Sequence, residues 1–74
     1  MKTGKLYSHA KNTIFWPDAK VYPSTLLEKN EPFVLLEVVS KVGYKSCKVL
    51  NSEGIIGWIN ITEYHLIKEV AANP

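Results

Sequence analysis

The run from Pro32 to Ile59, PFVLLEVVSKVGYKSCKVLNSEGIIGWI, constrains the fold of this chain more than any other stretch. Three apolar, β-rich segments are separated by two short turns, Val42-Gly43 and Asn51-Ser52-Glu53-Gly54, the pattern of an antiparallel meander. In the first segment Val34, Leu36, Val38 and Val42 fall at even spacing with Ser40 as the polar member, while Glu37 and Lys41 fall on the odd set. The even set is therefore the expected core face. In the second segment Cys47 and Val49 share a face and are expected inside, opposite Tyr44, Ser46, Lys48 and Leu50. In the third, Ile55, Gly57 and Ile59 form the expected core set, which leaves Ile56 and Trp58 at least partly outside. Gly57 stands where a small barrel must bend sharply or admit another backbone.

The flanks carry shorter signals. Leu6-Tyr7 is a short pairing segment, and Ser8 to Asn12 reads as polar loop. Thr13-Ile14-Phe15-Trp16 is β-branched and aromatic, a strand by propensity, ended by Pro17-Asp18. Lys20-Val21-Tyr22 is a further extended piece before Pro23-Ser24, and Thr25 to Lys29 suits either a helical turn or a strand. Asn30-Glu31-Pro32 is a turn, Asn60 to Tyr64 fits one 3₁₀ turn, and His65 to Lys68 is the closing strand. Many short strands in a 74-residue chain predict an all-β fold: a small five-stranded barrel with a short 3₁₀ turn before its last strand, because closure removes exposed edges. The chain reads as a single domain with a core over about residues 4–68 and a tail from 69 to 74.

Charge narrows the partners. Nine lysines and seven acids leave a net charge of +2, and the chain contains no arginine. Acids interrupt any continuous basic stripe, and arginine is the residue that makes bidentate contacts to phosphate and guanine. Both facts argue against nucleic acid as a partner. The single cysteine, Cys47, excludes an internal disulfide framework. No stretch approaches the ~20 apolar residues of a membrane span, and the first residues lack the apolar core of a secretion leader. A cytoplasmic, reducing location is expected.

Pro23-Ser24, Lys29-Asn30 before the apolar strand Phe33 to Val39, Gly57-Trp58-Ile59, and the closing Tyr64 and Leu66 form a pattern along Ile14 to Ile67. In these features the stretch resembles bacterial-type SH3 domains. The last third, with Gly4-Lys5-Leu6 at the start, is also similar to small stand-alone SH3-like proteins of tailed bacteriophages. The resemblance implies an SH3-like barrel and a binding role, in the host cytoplasm if the chain is phage-encoded. It does not extend to wall binding, because Tyr22-Pro23-Ser24 stands where wall-binding members carry Arg-Ser-Gly-Pro. Nor does it extend to proline-rich peptide binding, whose Ala-Leu-Tyr-Asp-Tyr motif is missing.

Catalytic and cofactor chemistry find little support. His9 and His65 lack partners at metal-ligand spacing, and His9 reads as a solvated loop residue. A nucleophilic site would need Cys47 beside His65 with Glu63 to orient it, yet Cys47 falls on the core face. The four glycines, at 4, 43, 54 and 57, read as turn and corner residues rather than a phosphate loop. No enzyme activity, cofactor or metal is expected. The eight aromatic residues are the more informative set. Phe15 and Phe33 are the expected core members, and Trp58, Tyr22, Tyr44 and Trp16 the expected contact surface, since Trp and Tyr supply rigid contact area at low entropic cost. The expected function is a non-enzymatic interaction module that binds a protein or peptide through an aromatic groove or strand edge. The alternatives are a small phage-type structural or accessory protein acting as a homo-oligomer or virion assembly component, and a nucleic-acid-binding barrel.

Overall fold

The structure, a computed structural model, describes residues 1–19 and 23–71. Among these the chain is all-β: β1 (Leu6–His9), β2 (Thr13–Pro17), β3 (Thr25–Leu27), β4 (Phe33–Lys41), β5 (Tyr44–Leu50), β6 (Ile56–Ile61) and β7 (Ile67–Glu69), with one 3₁₀ turn, Tyr64–Leu66, before β7. The strands form one curled antiparallel sheet in the order β3-β2-β6-β5-β4-β1-β7. The meander β4-β5-β6 is its centre. Seven strands stand where five were expected, because the Leu6-Tyr7 segment extends into β1 and Thr25 to Leu27 pairs with β2 as a strand. The 3₁₀ turn lies slightly later than predicted, and Glu69, placed in the tail by the sequence, is the last residue of β7 opposite Tyr7. The Lys20-Val21-Tyr22 piece lies outside the described residues.

Local chemistry explains the turns. Gly43 reverses the β4–β5 hairpin at φ 84°, a left-handed conformation that glycine adopts without steric penalty. At the β5–β6 turn Asn51 Oδ1 accepts hydrogen bonds from the amides of Glu53 and Ile55, and the Gly54 amide donates to the Asn51 carbonyl. Before β4, Asn30 takes φ 63° and its amide donates to the His9 carbonyl at 2.8 Å. That bond draws the segment after β3 against the end of β1 and curls the sheet toward closure.

The core consists of Tyr7, Phe15, Leu27, Phe33, Leu35, Cys47, Val49, Ile59 and Ile61, with Val38, Ile55 and Ile67 packed against it. Phe15, Phe33, Cys47, Val49 and Ile59 are inside as the sequence predicts. The even face of β4 is not. Phe33 and Leu35 are buried, Val34 is half-buried, Leu36 is exposed and Val42 is fully exposed in its turn. The cause is a register shift between Leu35 and Glu37: Leu35 pairs with Val49 and Glu37 with Lys48, so Leu36 is an extra residue with no partner. A bulge of this kind reverses the inside–outside phase of the strand, and Val38, opposite Cys47, faces the core again. The alternation is odd before the bulge and even after it, which a single period cannot describe.

Two further expectations change. His9 is buried at the end of β1, not solvated in a loop. Its Nδ1 meets the backbone of Lys11, 2.9 Å from the carbonyl oxygen and 3.1 Å from the amide nitrogen. Protonated at Nδ1 it donates to the former; unprotonated there it accepts from the latter. Tyr7 is a core residue beside Phe33, with ring centroids 6.4 Å apart, and its hydroxyl accepts a hydrogen bond from the Lys2 amide at 2.6 Å. That polar end is what allows a buried tyrosine.

Gly57 has a direct steric reason. A Cβ there would lie 2.5 Å from Phe15 Cζ and 2.6 Å from the Trp16 carbonyl oxygen. The missing side chain lets β2 lie against β6 while Phe15 fills the core below. Glu31 ties the β3–β4 loop to the β5–β6 turn by accepting from the Ser52 hydroxyl at 2.6 Å and the Ser52 amide at 3.2 Å. Desolvation pushes its carboxyl up, but the bonds from Ser52 and from the Glu28 amide outweigh it and hold Glu31 below its ordinary value of 4.5.

Gly57→Ala is expected to lower stability by about 1–3 kcal/mol, read as a lowered midpoint in urea; an unchanged midpoint would show that β2 can retreat freely. The Glu31 clamp contributes stability above the ordinary carboxylate pKa and loses it as pH falls through the depressed folded value. Melting temperature should therefore fall in acid more steeply for the wild type than for Glu31→Gln, and parallel curves would remove the clamp from the account.

Candidate functional site

Residues directly opposite in a sheet share a face, so the register defines the outer surface. On β2 and β6, Trp16 is the partner of Trp58. The two indoles therefore belong to one face although they lie far apart in the chain. Their position follows from the core beneath them: Phe15 and Gly57 point inward, and alternation sends Trp16 and Trp58 outward. Trp16 is 41% exposed and Trp58 half-buried. The Trp58 Nε1–H donates to Asp18 Oδ1 at a long 3.4 Å, which orients the indole on its outer side.

The same face continues past the tryptophans. Ile14, two residues before Trp16 on β2, is the partner of Leu26 on β3, and both are about half exposed. Ile56, two residues before Trp58, is exposed as well. The sequence already placed Ile56 on the face of Trp58, but it did not single out Ile14 or Leu26 for the surface. For Ile14 a signal was present, because Ile14-Phe15-Trp16 is apolar at consecutive positions and only alternate residues of a strand reach one core. On the far side of Trp58 the row continues into Lys48 and then Glu37.

The other expected surface aromatics are placed differently. Tyr44 is half-buried at the β4–β5 hairpin, opposite Lys41. It shares the outer face with Lys48 but lies four positions along β5, about 13 Å away at strand rise. It stands at the far end of the sheet from the tryptophan pair. Tyr22 lies outside the described residues. Tyr64, in the 3₁₀ turn, has the Lys45 ammonium 5.6 Å from its ring centroid.

The candidate nucleophile and base do not meet. Cys47 is fully buried, whereas the His65 side chain is 76% exposed and 3.9 Å from Glu63. No hydrogen bond joins Cys47 to His65. Burial pushes the Cys47 thiol up, against a smaller opposing influence from Lys45, so the reactive thiolate is disfavoured. Among the described residues no group of three His, Cys, Asp or Glu side chains is arranged to hold a metal ion, and no helix is long and apolar enough to cross a membrane.

Comparison of the chain with protein-family models, with curated proteins and with solved structures returned no match.

The placement of Cys47 has a direct test. Its thiol should react with a disulfide reagent only as fast as the protein opens, and rapid labelling of the native chain would contradict the packed position. Because the folded thiol holds its proton more tightly than the unfolded one, stability should also decline as pH rises above the ordinary thiol range, and Cys47→Ala should remove that alkaline slope.

Proposed function

We propose that this chain is a non-enzymatic interaction module, a small SH3-like barrel that holds a protein or peptide partner against the outer face of β2 and β6. The observation that carries this reading is the pairing of Trp16 with Trp58 on a solvent-facing surface extended by Ile14, Leu26 and Ile56. Large indoles at the surface supply contact area with little loss of rotamer freedom, and a contiguous apolar surface on a soluble domain marks an interaction site. The curled antiparallel sheet, the 3₁₀ turn before the last strand and the Gly57-Trp58-Ile59 element support the SH3-like assignment. The packed Cys47 and the solvated His65 suit a role without covalent chemistry, and a free buried thiol suits a reducing compartment.

Selection of peptides from a random display library, followed by titration of the intrinsic tryptophan emission, tests this reading. Peptides recovered on the wild-type chain should lose at least about tenfold in affinity, or about 1.4 kcal/mol, against Trp58→Ala and Trp16→Ala variants that melt as cooperatively as the parent. Peptides that bind all three chains equally would place the contact surface elsewhere. Loss of cooperative folding in Trp58→Ala would make that indole part of the structural core.

A further inference from the structure

The outer face carries a second apolar feature, independent of the tryptophan pair. Ile56 is opposite Leu50, Leu50 is opposite Val34, and Val34 is opposite Leu6. These four residues form an unbroken apolar row across β6, β5, β4 and β1 on the side away from the core. Ile56 is 42% exposed and the other three are half-buried. Leu36, the unpaired residue of the bulge, is exposed between the strand positions of Val34 and Glu37. A sheet with one face to solvent normally places polar side chains at such positions. The adjacent row contains Lys48 opposite Glu37, and neither takes part in an ion pair among the described residues.

The row has a symmetry. About the seam between β4 and β5, apolar residues balance apolar residues, and lysine balances glutamate. We propose that this face binds a second copy of the chain, related by a two-fold axis that runs along the β4–β5 seam. Such an axis exchanges β4 with β5 and β1 with β6. Leu50 then lies over Val34 of the partner subunit, Ile56 over Leu6 of the partner subunit, and Lys48 over Glu37 of the partner subunit, with every contact made twice. The two sheets pack face to face in the manner of a sandwich, about 10 Å apart.

Charge complementarity selects this occupant. A basic segment would meet Lys48 and an acidic one would meet Glu37, whereas a second copy satisfies both at once and fixes the register. Because the sheet is curled, contact is confined to β6, β5, β4 and β1, so the interface is at the small, weak end of specific association. β2 and β3, which carry Trp16, Ile14 and Leu26, lie outside the seam, whereas Ile56 belongs to both surfaces and Trp58 is opposite Lys48. The proposal does not require partner binding at the tryptophans, and the charge variants at 37 and 48 test it separately from Trp16→Ala.

Sedimentation equilibrium of the full chain from about 1 µM to about 1 mM tests it. The wild type is expected to pass from monomer to dimer within that range. Lys48→Glu and Glu37→Lys should each weaken dimerisation at least about tenfold, because each homodimer then faces like charges across the axis. An equimolar mixture of the two variants should recover dimer, since the second subunit's Lys at 37 then opposes the first subunit's Glu at 48. Pairing within one chain cannot produce that recovery. Ile56→Glu, at an exposed position, should leave the melting transition in place and abolish the dimer, and serves if either charge variant fails to fold. A wild type that stays monomeric at the highest concentration, a dimer undiminished in Ile56→Glu, or folded charge variants that fail to recover on mixing would each overturn the proposal.

Discussion

The approach of β2 to β6 at Gly57 is the contact on which the rest of the molecule depends. With a hydrogen in place of a side chain, Gly57 admits the Phe15 ring and the Trp16 carbonyl to within 3 Å of where a Cβ would sit. That proximity has consequences on both sides of the sheet. Inside, Phe15 is buried in one cluster with Leu27, Cys47, Val49 and Ile59. Outside, the register that follows sets Trp16 beside Trp58. One small residue thus sets both the packing of the interior and the composition of the surface most suited to binding.

The bulge at Leu36 has a comparable effect on the other half of the sheet. By removing one residue from the pairing, it turns Phe33 and Leu35 inward before it and Val38 inward after it. It also leaves Glu37 opposite Lys48 on the outer face. Without the extra residue, Glu37 would continue the odd set of Phe33 and Leu35 into the core, where an unpaired carboxylate is costly. The bulge therefore lets a strand of mixed pattern bury its apolar residues on one side while its charge stays in water.

The loops hold this arrangement through bonds between segments distant in sequence. Asn30 reaches the end of β1, Asn12 Oδ1 accepts from the Lys29 amide, and Glu31 reaches Ser52. These contacts gather the β3–β4 loop, the start of β2 and the β5–β6 turn at one end of the sheet, where side-chain and backbone hydrogen bonds supplement a small core. Ile14, Trp16, Leu36 and Ile56 remain exposed on β2, β4 and β6.

The central meander was legible in the chain itself because its signals are local. Gly43 and the Asn51 to Gly54 turn specify reversals within a few residues, and the inward positions of Cys47, Val49 and Ile59 follow from period-two alternation along their own strands. Phe15 in the core and Trp58 toward solvent were legible for the same reason. Tertiary structure alone decided the rest. The inward face of β4 depends on a bulge whose position is set by pairing with β5. The burial of His9 and Tyr7 depends on β1 lying between β4 and β7. The meeting of Trp16 with Trp58, and of Lys48 with Glu37 on an apolar outer face, depends on cross-strand register. Register is a relation between segments, and a single segment's pattern does not contain it.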